Sequence, residues 1–267
     1  MVEPKISMSE AAREALRVRR QPPAFRKVAV RRLDYLTPHL AGLTLTGRDL
    51  EGFAVEQPAA SVRLLLPLPG TTDLVIPAWN GNEFLLADGS RPIIRTFTPR
   101  RFDPDTLDLD LEIVIHPGGT VSGWVQTAGP GDPAAISGPG RGYAVDAGAG
   151  SFLLAGDETA VPAISQLLEV LPAERPVQVL IEVADPDARL TLPGHPRADV
   201  AWYDLSPNAQ PGEALVAAIQ AADLDPDVRV WVAGEAAAMH RTRRHLFEDR
   251  QLPRDQVTVR GYWKHAR

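Results

Sequence analysis

The pattern of predicted strands and helices changes near residue 150, and this change constrains the fold more than any other feature. Before it, short strands follow one another with turn signals such as Pro67-Leu-Pro-Gly70 between them, a pattern typical of a small antiparallel barrel. After it, strands alternate with helices, which predicts a parallel sheet with right-handed crossovers. We therefore expect a β + α/β protein, in which an antiparallel six-stranded β-barrel precedes a Rossmann-like domain of the nucleotide-binding class.

The predicted elements divide the chain into three segments: an N-terminal helical or flexible segment (1–20), the barrel (21–146) and the α/β domain (150–267). The barrel strands are predicted at residues 25–30, 43–46, 62–66, 93–98, 107–116 and 134–137, with one helix at 120–128. The later strands are predicted at 151–155, 177–183, 200–203, 228–233 and 256–260, and the later helices at 158–171, 213–222 and 236–250.

The chain contains no cysteine, and this excludes disulfides, thiol nucleophiles and cysteine-ligated zinc or iron–sulfur centres. Redox chemistry would therefore depend on a bound organic cofactor or on the substrate. His240 and His245 are five residues apart on one predicted helix, which is a poor spacing for two metal ligands. We expect no metal site.

The net charge of −6 argues against nonspecific nucleic-acid binding. Both ends of the chain are rich in Lys and Arg, which could attract an anionic substrate or simply be solvated. No apolar run approaches the roughly 18–20 residues needed to span a membrane. We expect a cytoplasmic protein, and a monomer because no long apolar helix or sheet edge stands out.

Two segments of the predicted barrel carry side chains suited to a flavin dinucleotide. In Arg95-Thr-Phe-Thr98, the guanidinium could hold a pyrophosphate, the aromatic ring could lie against a flavin or adenine, and a threonine could bond a ring nitrogen. In His116-Pro-Gly-Gly-Thr-Val-Ser122, the backbone amides of a helix start could bind phosphate. The alternatives are an ordinary strand with a solvated arginine and a capped strand–turn–helix.

Three later segments could face a second nucleotide or the substrate. Gly156-Asp-Glu-Thr-Ala160 and Gly234-Glu235 end parallel strands, where ligands of open α/β sheets gather. Asp157 and Glu158 would repel a phosphate, so the segment Gly156–Ala160 is better suited to a nicotinamide or ribose than to a pyrophosphate. The alternative is a helix capped by Asp157. Gly261-Tyr-Trp-Lys264 could stack on an aromatic ligand, or could be a tail docked on the core.

Taken in order, these segments resemble the siderophore-interacting protein family over nearly the whole chain, from Arg26 to Lys264. The resemblance is strongest in Gly156-Asp-Glu-Thr-Ala-Val-Pro-Ala-Ile164, Trp231-Val-Ala-Gly-Glu235 and Gly261-Tyr-Trp-Lys264. It implies an FAD-binding barrel and an NAD(P)-binding α/β domain. It also implies hydride transfer from NADH or NADPH to FAD, followed by one-electron reduction of a ferric siderophore that releases iron.

The resemblance also implies residue roles. Thr98 would lie near the isoalloxazine, and Lys264 would be among the cations that meet the negatively charged iron complex. The cofactor-binding residues would be Arg95, Thr96, Phe97, Thr98, His116, Gly119, Thr120, Val121, Ser122, Asp157, Thr159, Ala160, Gly234, Glu235 and Trp263.

Two departures from the family pattern bear on FAD binding. The family usually has tyrosine where this chain has Phe97, and Gly119-Thr-Val-Ser122 replaces a Gly-Pro-Ala-Ser-like run. We expect weaker or altered FAD binding. Alternatives are a flavin-dependent oxidoreductase with a protein or quinone acceptor, a ferredoxin as the electron donor, or a non-catalytic siderophore-binding protein.

Overall fold

The computed structural model describes residues 22–265, and the predicted N-terminal segment (1–20) lies outside the described residues. The first half contains strands and one helix, in this order: β1 (Phe25–Thr37), β2 (Leu40–Thr46), β3 (Val62–Leu66), β4 (Ala78–Trp79), β5 (Phe84–Leu85), β6 (Ile93–Phe97), β7 (Pro99–Asp103), β8 (Asp108–Val114), α1 (Thr120–Val125) and β9 (Pro133–Ser137).

The second half alternates strands with helices, as predicted. Its elements are β10 (Ser151–Asp157), α2 (Val161–Val170), β11 (Val177–Val183), β12 (Ala198–Asp204), α3 (Glu213–Ala221), β13 (Val228–Glu235), α4 (Ala236–Arg244) and β14 (Val257–Trp263). The helix predicted at 236–250 ends earlier, at Arg244, where a π-helical turn (His245–Asp249) continues the chain. The helix predicted at 120–128 ends at Val125, because sequence patterns locate helix ends poorly.

The antiparallel sheet closes into a barrel through a bend at Thr98. Its hydrogen-bonded order is β6-β3-β9-β1-β2-β8-β7. The two edge segments, β6 and β7, follow each other in the chain on either side of Thr98. When they are counted as one bent strand the sheet is a six-stranded barrel, as predicted. The prediction omits β7, which begins at Pro99, because proline resembles a strand end although the first position of a strand tolerates it.

The barrel core comes from alternating side chains of its strands. In β8, every second residue is buried, and Leu109, Leu111 and Ile113 are almost fully inaccessible. Leu43 and Leu45 of the neighbouring β2 pack into the same core. This alternation is expected for strands with one face on the core and one on solvent. It places polar side chains of the same strands on the outer surface.

The five-stranded sheet is parallel throughout, in the order β12-β11-β10-β13-β14. Phe152 and Leu154 of β10 pack with α2 on one face, whereas Leu153 and Ala155 pack with α3 and α4 on the other. Burial on both faces explains why all of β10 is buried. The strand order reverses between β10 and β13, so their carboxyl ends form the switch point where ligands of such sheets bind.

Helix α2 joins the sheet to the barrel. Gln166 Nε2 donates a hydrogen bond to the carbonyl of Pro99 (2.6 Å), and its Oε1 accepts one from the Ala59 amide (2.9 Å). One turn on, Glu169 makes a two-pronged contact with the Arg100 guanidinium (2.6 and 3.1 Å). These bonds hold α2 against the start of β7, directly beside the Thr98 bend.

Strand β14 makes a second connection between the two halves. The Arg260 guanidinium donates to the carbonyls of Ala59 (2.7 Å) and Gly142 (2.8 Å), both of which belong to the barrel half. The last strand of the sheet is therefore attached to the barrel, and the residues that follow Arg260 lie beside it. Within residues 22–265, no helix is long and apolar enough to cross a membrane.

The interface predicts a stability cost for Gln166→Ala. The substitution leaves the Ala59 amide and the Pro99 carbonyl without their partner, and an unsatisfied buried group costs about 1–3 kcal/mol. We expect a lower free energy of unfolding in urea and a thermal midpoint lowered by several degrees. Gln220→Ala is the matched control, because Gln220 is exposed on α3. Equal stability of the two variants would contradict the proposed role of Gln166.

Candidate functional site

The candidate site lies where the barrel bend meets the carboxyl ends of the parallel strands. Thr98 is buried, and its side chain lies close enough to the Tyr262 hydroxyl of β14 to affect the pKa of that phenol. The Tyr262 ring packs edge-on against Trp231, with 6.3 Å between ring centroids. Burial raises the pKa of Tyr262 above its usual range, and the nearby Thr98 side chain opposes that rise. Tyr262 is not among the predicted site residues, although it places the barrel bend next to β14.

Asp157, at the end of β10, gathers three separate segments around one carboxylate. Its Oδ2 accepts from the Glu235 amide (2.9 Å) and from Trp263 Nε1 (2.7 Å), and its Oδ1 accepts from the Thr159 amide (3.0 Å) and hydroxyl. Burial raises the pKa of Asp157, and these four donors oppose that rise by favouring the charged form. Asp157 caps the helical turn, as the alternative interpretation expects.

The two glycines of the switch point serve close packing. A Cβ at Gly234 would lie 2.6 Å from Asp157 Oδ2, and one at Gly156 would lie 2.4 Å from the Ala160 Cβ. Pairing of β13 with β14 shifts register between Gly234 and Glu235, so that the Glu235 amide turns toward Asp157. Ala160 is fully buried. The structure places Gly234 and Ala160 as packing positions, and their contact with a nucleotide stays a prediction.

Glu235 fixes the backbone just after β14 as well as the start of α4. Its Oε2 accepts from the Ala238 amide (2.8 Å) as an N-cap, and its Oε1 accepts from the His265 amide (3.3 Å). Trp263 is therefore held on both sides, by Asp157 through its indole and by Glu235 through the backbone that follows. Lys264, between these two anchors, is exposed. The predicted residues Asp157, Glu235 and Trp263 thus form one cluster.

The turn after β8 is a glycine turn that leads into the start of α1. The His116 amide donates to Ser122 Oγ (3.1 Å), and Ser122 is buried. A Cβ at Gly119 would lie 2.5 Å from His116 Cε1, so only glycine allows the imidazole to approach this backbone. The first amides of α1, from Thr120 onward, have no acceptor within the helix, and no side chain within residues 22–265 caps it.

The Arg95 segment presents two polar side chains to solvent. Arg95 and Thr96 are exposed, and Arg95 Nη1 donates to the Ile94 carbonyl (2.8 Å). Phe97 packs against the barrel core instead, while Val121 of α1 is buried in that same core. Because β6 and β8 are in contact, the Arg95 segment and the loop before α1 lie on neighbouring parts of the barrel. An exposed guanidinium, a bare glycine backbone and uncapped amides fit the phosphates of FAD.

The structure thus brings together two groups of the predicted residues. Asp157 contacts Thr159, Glu235 and Trp263, and His116 contacts Gly119 and Ser122. The structure adds Tyr262, Arg260 and Gln166, which position the groups relative to each other. The alternation of β14 was a usable signal for two of these, because Arg260 and Tyr262 are two residues apart and face the barrel side. Within residues 22–265, no group of three or more histidine and carboxylate side chains is placed to hold a metal ion.

The chain matches two family descriptions in succession. Residues 29–143 match the siderophore-interacting FAD-binding domain, and residues 149–266 match the siderophore-interacting protein family. A solved siderophore utilization protein from T. fusca is 31% identical with a TM-score of 0.81, and the match covers 92% of this chain and 95% of that one.

Two curated relatives are similar over most of their length. The ferric vibriobactin reductase of Vibrio cholerae is 29% identical over 241 residues, covering 88% of each chain. The NADPH-dependent ferric-chelate reductase of Escherichia coli is 29% identical over 247 residues, covering 91% of this chain and 94% of the relative.

The Asp157 cluster predicts a large effect of Asp157→Ala. The variant leaves the Glu235 amide and the Trp263 indole N–H without an acceptor in a buried place, at about 1–3 kcal/mol each. We expect a lower free energy of unfolding and a red-shifted tryptophan emission as Trp263 loosens. Asp199→Ala, which removes an exposed carboxylate from β12, is the control. Wild-type stability and emission in Asp157→Ala would show that the cluster does not hold Trp263.

Proposed function

This chain belongs to the siderophore-interacting protein family, and on that premise we propose that it is an FAD-dependent reductase that uses NADH or NADPH to reduce Fe(III) in a siderophore. The observation that carries the proposal is the match of residues 29–143 to an FAD-binding domain, whose barrel presents an exposed Arg95 and an uncapped start of α1. The reductase names of the two curated relatives support the reaction class.

The residues of the barrel would hold the FAD. Arg95 and the first amides of α1 would bind its phosphates, and His116 would lie at the ring edge beside Gly119. Thr98, at the barrel bend, would face the isoalloxazine together with Tyr262. A flavin accepts a hydride from a nicotinamide and passes single electrons to Fe(III), which joins a two-electron donor to a one-electron acceptor.

The protein's own contribution would then be placement rather than acid–base chemistry. The Asp157 carboxylate is occupied by four protein donors, so it is not free to take a proton from a substrate. Asp157 would instead hold Trp263 and the backbone around Glu235 in place at the carboxyl edge of the sheet. The nicotinamide would approach this edge, with Thr159 within reach as a polar side chain.

The ferric siderophore would bind near the end of β14. Lys264 is exposed there and supplies a positive charge, and the partly buried Trp263 supplies an aromatic surface beside it. An anionic iron complex with aromatic ligands would be attracted by the first and stacked by the second. Reduction to Fe(II) weakens the hold of hard oxygen ligands, and this would release the iron.

Anaerobic half-reactions test the proposal directly. We expect the purified protein to bind one equivalent of FAD, to lose its visible flavin absorbance with NADH or NADPH, and to regain it when a ferric catecholate or hydroxamate is added, as Fe(II) is trapped by a chelator. Protein that takes up no added FAD contradicts both enzyme interpretations and leaves a siderophore-binding protein. Reoxidation by quinones but not by ferric chelates would identify a different acceptor.

Arg95→Ala tests the predicted phosphate contact. Loss of a charge-assisted hydrogen bond costs about 1.5–3 kcal/mol, so we expect FAD to bind about 10- to 100-fold more weakly. Fluorescence titration of the apoprotein with FAD measures this change. Arg101→Ala removes an exposed arginine from the adjoining β7 and is expected to leave FAD affinity unchanged. Equal affinity of both variants would remove Arg95 from the site.

A further inference from the structure

An ion pair lies at the carboxyl edge of the sheet, on the side away from β14. Asp204 is the last residue of β12, and Arg189 follows β11 by way of a short helical turn (Pro186–Ala188). Arg189 Nη2 donates to Asp204 Oδ1 at 2.5 Å, and both side chains are about half exposed. The Leu205 amide donates a hydrogen bond to the Val183 carbonyl, and this bond holds Asp204 level with the carboxyl end of β11.

A nicotinamide dinucleotide bound at the switch point would extend toward this pair. Its nicotinamide must lie near the barrel, where Thr98 meets Tyr262 of β14. In the sheet, β11 and β12 lie on the side of β10 away from β14. The adenosine half would therefore extend over the carboxyl ends of β11 and β12. Neighbouring strands are about 4.8 Å apart, so β12 lies roughly 12 Å from the boundary between β10 and β13, a distance that a dinucleotide spans.

The charges at this end suit a ribose diol better than a phosphate. A carboxylate accepts hydrogen bonds from the 2′- and 3′-hydroxyls of NADH, whereas the 2′-phosphate of NADPH carries about two negative charges. At this edge, the segment 184–189 after β11 contains Asp185, Asp187 and Arg189, and β12 ends at Asp204, so three carboxylates accompany one guanidinium. Arg189 already bonds Asp204, so drawing it to a 2′-phosphate would leave that carboxylate unpaired beside the new charge.

We propose that Asp204 is a specificity-determining residue that makes NADH the preferred donor, and that Arg189 is a positioning residue that orients its carboxylate. The inference rests on the proposed nicotinamide-dependent function and deepens it. It assigns the adenosine ribose to the ends of β11 and β12. Asp204 discriminates because it accepts hydroxyl hydrogen bonds and repels a phosphate at the same place.

Two measurements on the FAD-loaded protein test the inference. Anaerobic flavin reduction gives kcat/KM for NADH and for NADPH, and calorimetric titration with adenosine 5′-phosphate and adenosine 2′,5′-bisphosphate reports the ribose subsite without any turnover. We expect the wild type to favour NADH and the 5′-phosphate. In Asp204→Ser, the freed Arg189 should shift both preferences toward the 2′-phosphorylated ligand by about tenfold or more, equivalent to about 1.4 kcal/mol.

Asp199→Ser is the matched control, because it removes one exposed carboxylate from the opposite end of the same strand. It is expected to leave both preferences as in the wild type. Equal or greater kcat/KM with NADPH in the wild type, or an unchanged preference in Asp204→Ser, overturns the role of Asp204 while the reductase function stands. A bound flavin that neither nucleotide reduces overturns the nicotinamide-dependent function and this inference together.

Discussion

The buried carboxylate of Asp157 is the constraint on which the rest of the candidate site depends. It receives four hydrogen bonds from the turn after β10, the end of β13 and the indole of β14. A buried charge is tolerated only where such donors satisfy it. The same requirement explains why position 234 is glycine, since any side chain there would collide with Oδ2. One carboxylate therefore sets the geometry of three strand ends.

The barrel supplies the other half of the site through its bend at Thr98. The bend lets one strand pair at both edges of the sheet and so closes the barrel. It also brings Thr98 to Tyr262, while Gln166 and Arg260 hold the two halves together on either side. The junction between barrel and sheet is thus defined by contacts that neither half makes alone.

Most of the fold can be predicted from local sequence patterns, because apolar residues recur with one period in strands and with another in helices. Alternation in β8 and the continuous apolar run of β10 predict a half-exposed strand and a doubly covered one. The contacts within the site are harder to predict from sequence, because two partners of Asp157 lie 78 and 106 residues away in the chain. The resemblance selects Asp157 and Trp263 as neighbours of a nucleotide, but only the three-dimensional structure shows that they bind each other. The contact of Tyr262 with Thr98 escapes prediction for the same reason, since Thr98 belongs to the other half of the chain.

The central claim is that the junction of the two halves holds a flavin between the Thr98 bend and the end of β14. A crystal structure of the protein grown with FAD tests it most directly. The account predicts the isoalloxazine beside Thr98 and Tyr262, with the pyrophosphate at Arg95 and the first amides of α1. A flavin bound elsewhere on the barrel, or a crevice that stays closed by the Thr98–Tyr262 contact at saturating FAD, would contradict it.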